Sequence, residues 1–122
     1  MNVIHELIVD AYGCRGDLHH LESLERAARD AVEAVGATVA SSSHFRFQPH
    51  GLTLCLILKE SHLIVSTWPE HKLVIVNVFL CNPKMDANQV WKALETYLQP
   101  KSSILHNVSH QISESTPKKK AA

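Results

Sequence analysis

The chain has 122 residues, which is enough for one domain and too few for two of ordinary size. Its 12 basic and 12 acidic residues balance, so charge gives no reason to expect nucleic acid or an anionic membrane as a partner. Hydrophobic residues make up 45% and charged residues 20%, as in an ordinary globular domain, and no apolar run approaches the length of a membrane-spanning helix.

The first third of the chain predicts a strand and a helix. Residues 3–11 are apolar and β-branched, and the glycines that follow mark a turn, which is typical of a strand and its exit loop. Apolar residues then recur at steps of three and four from Leu18 to Val35, which predicts an amphipathic helix with Asp17 as its N-cap and Gly36 at its end. The opening residues lack a signal-peptide pattern, so we expect a cytoplasmic protein.

The middle of the chain predicts a meander of strands. Extended or strongly apolar segments cover residues 37–47, 52–58, 62–68 and 73–80. Short polar or proline-containing breaks separate these segments, namely Pro49–Gly51, Lys59–Ser61 and Pro69–Lys72.

The last part of the chain predicts a second helix and a final strand. Residues 87–98 carry one apolar face and follow Asp86, a good N-cap residue, while apolar and histidine side chains alternate over residues 102–112. The order β-α-β-β-β-β-α-β predicts an α+β fold, a two-layer sandwich in which two helices pack on one face of a mainly antiparallel sheet. We expect a single domain over residues 1–113 and a disordered basic tail over residues 114–122.

The candidate reactive side chains are few. Cys14, Cys55 and Cys81 are odd in number and show no CxxC spacing, so we predict no metal site and at least one free thiol. Residues 59–70 are unusual for a hairpin, because charged and hydroxyl side chains interrupt two apolar strands. From the residues alone this segment is either a plain β-turn with Ser61 at its tip or a functional site.

The same segment resembles the proenzyme cleavage region of prokaryotic S-adenosylmethionine decarboxylases. In that family a Glu-Ser-His-Leu stretch and a Thr-Trp-Pro-Glu stretch lie between two strands, and here they are Glu60–Leu63 and Thr67–Glu70. The resemblance covers residues 3–98. Its further matches at family spacing are Leu7–Cys14, Gly36–Val39, Phe45–Gly51, Val78–Cys81 and Trp91–Ala93.

The resemblance implies self-cleavage between Glu60 and Ser61. Ser61 Oγ would attack the Glu60 carbonyl, the resulting ester would undergo β-elimination, and hydrolysis would leave a covalent pyruvoyl group at position 61. The ketone would form a Schiff base with the substrate amine and accept the electrons released by decarboxylation, which no ordinary side chain does. The implied enzyme is a carboxy-lyase that makes the aminopropyl donor for spermidine biosynthesis.

The resemblance also implies roles for three residues in the mature enzyme. Cys81 matches the general acid that returns a proton to the substrate Cα. Glu70 matches the carboxylate that binds the ribose hydroxyls, and Phe47 matches the aromatic ring that stacks on adenine.

The processing residues depart from the family pattern. Thr53 stands where the family keeps a serine, and its hydroxyl is retained. Ser66 replaces a histidine credited with proton transfer during β-elimination, a task that a serine hydroxyl does not perform near neutral pH. His62 and His71 lie in the same hairpin and are the candidates to substitute for it.

Two alternatives remain beside S-adenosylmethionine decarboxylation. Ser66 and Asn77, which replaces an acidic residue, are changes that fit a family enzyme acting on ornithine or arginine. The missing histidine fits an uncleaved, inactive homologue that serves as a binding subunit. The resemblance implies a homodimer of cleaved protomers, with sites near the subunit boundary.

Overall fold

One antiparallel sheet and two helices make up residues 3–112, the part of the chain that the computed structural model describes. The helices are α1 (Leu21–Glu33) and α2 (Ala87–Leu98). The strands are β1 (Val3–Tyr12), β2 (Val39–Arg46), β3 (Leu52–Leu58), β4 (Ser61–Trp68), β5 (Leu73–Leu80) and β6 (Ser102–Gln111). Their order in the sheet is β2-β3-β4-β5-β1-β6, with every neighbouring pair antiparallel. The predicted α+β class and element order are confirmed, whereas the predicted tail over residues 114–122 lies outside the described residues.

Both helices pack on one face of the sheet, which holds the hydrophobic core. Side chains alternate along the strands, and in the central strands β3, β4, β5 and β1 most of the residues that point to this helix-side face are buried there. Leu54, Leu63 and Val76 are examples from neighbouring strands, each with at most 1% of its surface exposed. The helices contribute buried residues from one stripe each, namely Leu24, Ala28 and Val32 from α1 and Val90, Trp91, Leu94 and Leu98 from α2.

The opposite face of the sheet, here called the outer face, carries the other half of the alternation and has no described helix over it within residues 3–112. Its side chains are half-buried or exposed and mix apolar with polar groups. The strand registers identify its central residues. They are Thr53, Cys55 and Ile57 on β3; His62, Ile64 and Ser66 on β4; Ile75, Asn77 and Phe79 on β5; Glu6, Ile8 and Asp10 on β1; and Ile104, His106, Val108 and His110 on β6.

The first helix begins later than predicted, and Asp17 is not its N-cap. The Asp17 Oδ1 accepts the backbone N–H groups of His19 and His20, at 2.9 and 3.2 Å, and closes a turn before the helix. The helix therefore begins at Leu21 without a side-chain cap. Leu18 is buried in the turn, which explains why it fits the helical pattern.

The second helix has the predicted bounds and the predicted cap, because Asp86 Oδ1 accepts the Asn88 N–H at 2.9 Å. No helix within residues 3–112 has the length and apolar character needed to cross a membrane.

Candidate active site

The predicted cleavage site lies at the tip of the β3–β4 hairpin. Leu58 and Ser61 are the last facing pair, so Lys59 and Glu60 form a two-residue connection. Ser61 has a φ of 140°, a region that residues with a side chain avoid for steric reasons. Holding a residue in a sparsely populated conformation costs about 1–3 kcal/mol. The backbone is therefore strained next to the peptide bond that self-cleavage would break.

Two hydrogen bonds between backbone groups, and a third from a backbone N–H to a side chain, hold this turn in place. The Cys81 N–H donates to the Glu60 carbonyl oxygen at 2.8 Å, and the Lys59 N–H donates to the Thr38 carbonyl at 2.9 Å. The Thr38 N–H in turn donates to the Glu60 side-chain Oε1 at 3.0 Å. The Cys81 N–H polarises the carbonyl that Ser61 would attack, in the manner of a donor in an oxyanion hole.

The three cysteines differ in accessibility, and Cys81 is the exposed one. It directly follows β5, beside the hairpin tip. Cys14 is buried, its Sγ donates to the Ala11 carbonyl at 3.5 Å, and desolvation raises the pKa of its thiol. Because the thiolate is the reactive form, Cys14 is suited to a structural role. Cys81 is the thiol that can reach a ligand at the cleavage end of the sheet.

An open cavity of about 430 Å³ borders Cys81, between the start of β1, the end of β5 and the start of α2. His5, Asn82 and Asn88 add polar groups to its wall. This volume falls in the range of small-molecule sites. The cavity therefore gives a substrate-sized ligand access to the Cys81 thiol.

Four of the other predicted site residues lie at the opposite end of the sheet. Thr53 and Ser66 face each other across β3 and β4, with their hydroxyl oxygens 3.2 Å apart. Ser66 is five residues from Ser61 along one strand, a span of about 16 Å. Phe47 follows β2, Glu70 lies in the short 3₁₀ turn between β4 and β5, and both are exposed.

The structure thus divides the predicted site residues of a single chain into two groups. The hairpin group consists of Glu60, Ser61, His62 and Cys81. The far group consists of Phe47, Thr53, Ser66 and Glu70. His71 lies beside Glu70, so it belongs to the far end of the sheet and not to the cleavage site.

His62 takes part in a hydrogen-bonded network that sequence reasoning missed. Its Nε2 lies 2.5 Å from Asn77 Oδ1, and the Asn77 amide nitrogen donates to Glu6 Oε2. The other carboxylate oxygen of Glu6 lies 2.8 Å from His110 Nε2. The Phe79 ring contacts both histidine rings edge-on, with centroids 5.4 and 5.6 Å away. The alternation along β1 and β6 shows which face these residues share, but the network also requires the strand registers.

The pKa of Glu6 lies below its usual range, chiefly because Asn77 donates a hydrogen bond to its carboxylate and then because His110 does so. Glu6 is therefore ionised on the outer face. Within residues 3–112 no group of three or more His, Cys, Asp or Glu side chains is arranged to hold a metal ion.

Comparison with known proteins places the chain in a family. The family model described as S-adenosylmethionine decarboxylase matches residues 5–111. The chain belongs to the S-adenosylmethionine decarboxylase family. The S-adenosylmethionine decarboxylase proenzyme of Thermosipho melanesiensis is 36% identical over 107 residues, which cover 85% of this chain and 79% of that protein. The corresponding proenzyme of Aquifex aeolicus is 35% identical over 96 residues, which cover 78% of this chain and 71% of that protein.

A solved structure of the same family has the same fold. The crystal structure of the adenosylmethionine decarboxylase from Aquifex aeolicus matches with a TM-score of 0.77 at 30% identity, over 96% of this chain and 98% of that one. The resemblance to S-adenosylmethionine decarboxylases found in the sequence is confirmed.

Proposed function

We propose that this protein is a self-processing, pyruvoyl-dependent decarboxylase that converts S-adenosylmethionine to the decarboxylated aminopropyl donor of spermidine biosynthesis. The observation that carries the proposal is the strained Ser61, which directly follows a carbonyl polarised by the Cys81 N–H. The relatives named above are S-adenosylmethionine decarboxylase proenzymes. These names favour neither an ornithine or arginine decarboxylase nor an inactive homologue.

Ser61 supplies the hydroxyl that cleaves the chain. Its Oγ adds to the Glu60 carbonyl carbon, while the Cys81 N–H stabilises the charge that develops on the oxygen. Collapse breaks the C–N bond and leaves an ester at Ser61 with a free amine. Loss of the Ser61 Cα proton and departure of the Glu60 carboxylate then give dehydroalanine, whose imine tautomer is hydrolysed to a pyruvoyl group and ammonia.

The residues around position 61 fit a pyruvoyl group. That group would be made from Ser61 at the start of β4, and Ser61 pairs with Leu80, which lines the 430 Å³ cavity together with Cys81. The pyruvoyl ketone supplies the electron sink that decarboxylation of an amino acid requires. The exposed Cys81 thiol would return a proton to the substrate Cα. Glu70 accepts hydrogen bonds from the ribose hydroxyls, and Phe47 stacks on adenine.

The separation of the two groups supports a homodimer in which each site takes residues from both protomers. The hairpin group and the far group lie about 16 Å apart along β4. At this distance the two groups of one protomer cannot both contact the reacting centre of one small substrate molecule. A two-fold axis parallel to the outer face and perpendicular to the strands stacks two outer faces on each other and brings the hairpin group of one protomer to the far group of its partner. The outer face also offers apolar surface for such packing, since Ile57 is 44% exposed and Ile104 is 50% exposed.

Mass spectrometry of the purified protein tests self-cleavage. We expect fragments of residues 1–60 and 61–122, the second blocked at its N-terminus by a keto acid. In a separate activity assay, we expect carbon dioxide release from S-adenosylmethionine but not from ornithine or arginine. Ser61→Ala should stay one chain, whereas Ser43→Ala, which removes a hydroxyl from β2, should cleave like the wild type. A wild-type chain that stays intact and carries no borohydride-trappable ketone contradicts the proposal.

The cytoplasm remains the predicted compartment.

A further inference from the structure

A line of four hydrogen-bonded side chains crosses the outer face and ends beside the cleavage serine. It runs from His110 to Glu6, then through Asn77 to His62. His62 directly follows Ser61, and it faces Phe79 in the register of β4 and β5. This line therefore links the last strand of the sheet to the residue next to the scissile bond.

The charge of Glu6 sets the direction of the hydrogen bonds in this line. An ionised carboxylate only accepts hydrogen bonds, so the Asn77 amide nitrogen faces Glu6 and its oxygen faces His62. The short contact between Asn77 Oδ1 and His62 Nε2 then requires a proton on that ring nitrogen. In the neutral imidazole the free lone pair consequently lies on Nδ1, the ring nitrogen nearer to the main chain.

We propose that His62 Nδ1 accepts the Ser61 Cα proton during β-elimination, and that Asn77 and Glu6 are positioning residues that hold His62 in the required tautomer. This inference rests on the self-cleavage proposed above. In the step, the electrons of the Cα–H bond form the Cα=Cβ double bond. The Cβ–O bond breaks, and its electron pair leaves on the Glu60 carboxylate. The arrangement corresponds to a triad in which an acid orients a histidine through its second nitrogen, here with an amide between them.

The other histidines of the outer face are less suited to this task. His106 pairs with Asp10 at 2.9 Å, and Asp10 lies toward the end of β1 remote from the hairpin tip. His110 lies on the edge strand β6, on the far side of Glu6. The charged and titratable groups that face His62 are Glu6 from β1 and His110 from β6. His110 lies on the other side of the Phe79 ring from His62. His62 is the histidine that combines this orientation with a place beside Ser61.

The rate of proenzyme cleavage tests the inference. Loss of a general base costs about 100-fold or more, so His62→Gln should cleave at least that much more slowly. Because the ester should still form, hydroxylamine should release a fragment that begins with an intact Ser61.

Variants at Asn77 separate positioning from packing. Asn77→Leu keeps the volume and removes the acceptor, so cleavage should slow about 10-fold, whereas Asn77→Asp keeps an oxygen facing His62 and should cleave faster than the leucine variant. His106→Gln is the matched control, because it breaks an acid–histidine pair on the same face without touching the network. It should cleave at the wild-type rate.

Three outcomes overturn the inference. The first is a folded His62→Gln protein that cleaves at the wild-type rate. The second is a folded His62→Gln protein that accumulates no hydroxylamine-sensitive ester. The third is an Asn77→Leu protein that cleaves normally, which removes the positioning role. A wild-type chain that never cleaves overturns the proposed function as well, whereas the three outcomes above leave it standing.

Discussion

The two faces of the sheet differ in what they contribute. The helix-side face is closed and apolar, and Leu24, Leu56 and Val74 are fully buried there. The outer face mixes isoleucines with histidines and carboxylates, and it carries the Glu6–Asn77 network and the Thr53–Ser66 pair. Stability of the protomer therefore depends mainly on the helix-side face, whereas the assembly and chemistry that we propose would depend mainly on the outer face. Substitutions on the two faces should fail in different measurable ways.

The largest expected effect is complementation between two inactive variants. Ser61→Ala removes the hairpin group of a site, and Glu70→Gln weakens the far group, so each variant alone should release little or no carbon dioxide. If each site takes residues from both protomers, random pairing of the co-expressed variants restores about one quarter of the native sites. The measurement is carbon dioxide release from S-adenosylmethionine by the co-purified mixture.

A control for complementation is co-expression of Ser61→Ala with Cys81→Ala, which places both changes in the hairpin group. No protomer pairing then combines the two native residues in one site, so activity should not return. Activity that returns with this control but not with Glu70→Gln would contradict the shared site on the outer face.

A smaller effect separates the two faces by stability. Leu63 and Ile64 are neighbours on β4, but Leu63 is fully buried on the helix side and Ile64 is half-buried on the outer face. Leu63→Ala should lower the free energy of unfolding by about 2–5 kcal/mol, since a cavity remains in a closed core. Ile64→Ala should cost about 1 kcal/mol. Urea unfolding at one fixed protein concentration measures both, and equal losses would contradict the division between the faces.

Local patterns predicted the elements, because the information for them lies within a few residues. The strand Leu73–Leu80 and the helix Ala87–Leu98 have the predicted bounds. The start of α1 was wrong, since Asp17 closes a turn instead of capping the helix. In each case the contacts that decide the element join residues only a few positions apart in the sequence.

The geometry of the site could not be predicted in the same way. The resemblance gave Ser61 and Ser66 parts in one reaction, but an extended strand separates them by about 16 Å. The network depends on contacts between residues that are far apart in the sequence. Asn77 and Glu6 are separated by 71 positions, and His110 and Glu6 by 104 positions. Such pairs follow from the sheet order, which places β1 between β5 and β6. A single sequence contains no local signal for that order.

The smallest expected effect concerns the free energy of unfolding in acid, to which one carboxyl group on the outer face and one in the turn before α1 contribute. The pKa of Glu6 lies below its usual range, chiefly because of the hydrogen bond from Asn77. The pKa of Asp17 is also lowered, chiefly by the backbone N–H of His19. A carboxyl group with a lowered pKa in the folded state contributes stability above its ordinary pKa, and this contribution is lost as the pH falls through the folded value.

Glu6→Gln and Asp17→Asn should therefore each flatten the decline in unfolding free energy below about pH 5, by less than about 1 kcal/mol. Glu6 is 20% exposed and Asp17 is 41% exposed, so solvent screens Asp17 more and Glu6→Gln should have the larger effect. The measurement is urea unfolding at several pH values below neutrality. If Glu6→Gln follows the wild-type curve in acid, the carboxylate is not held by the network in solution, and the orientation inferred for His62 loses its electrostatic basis.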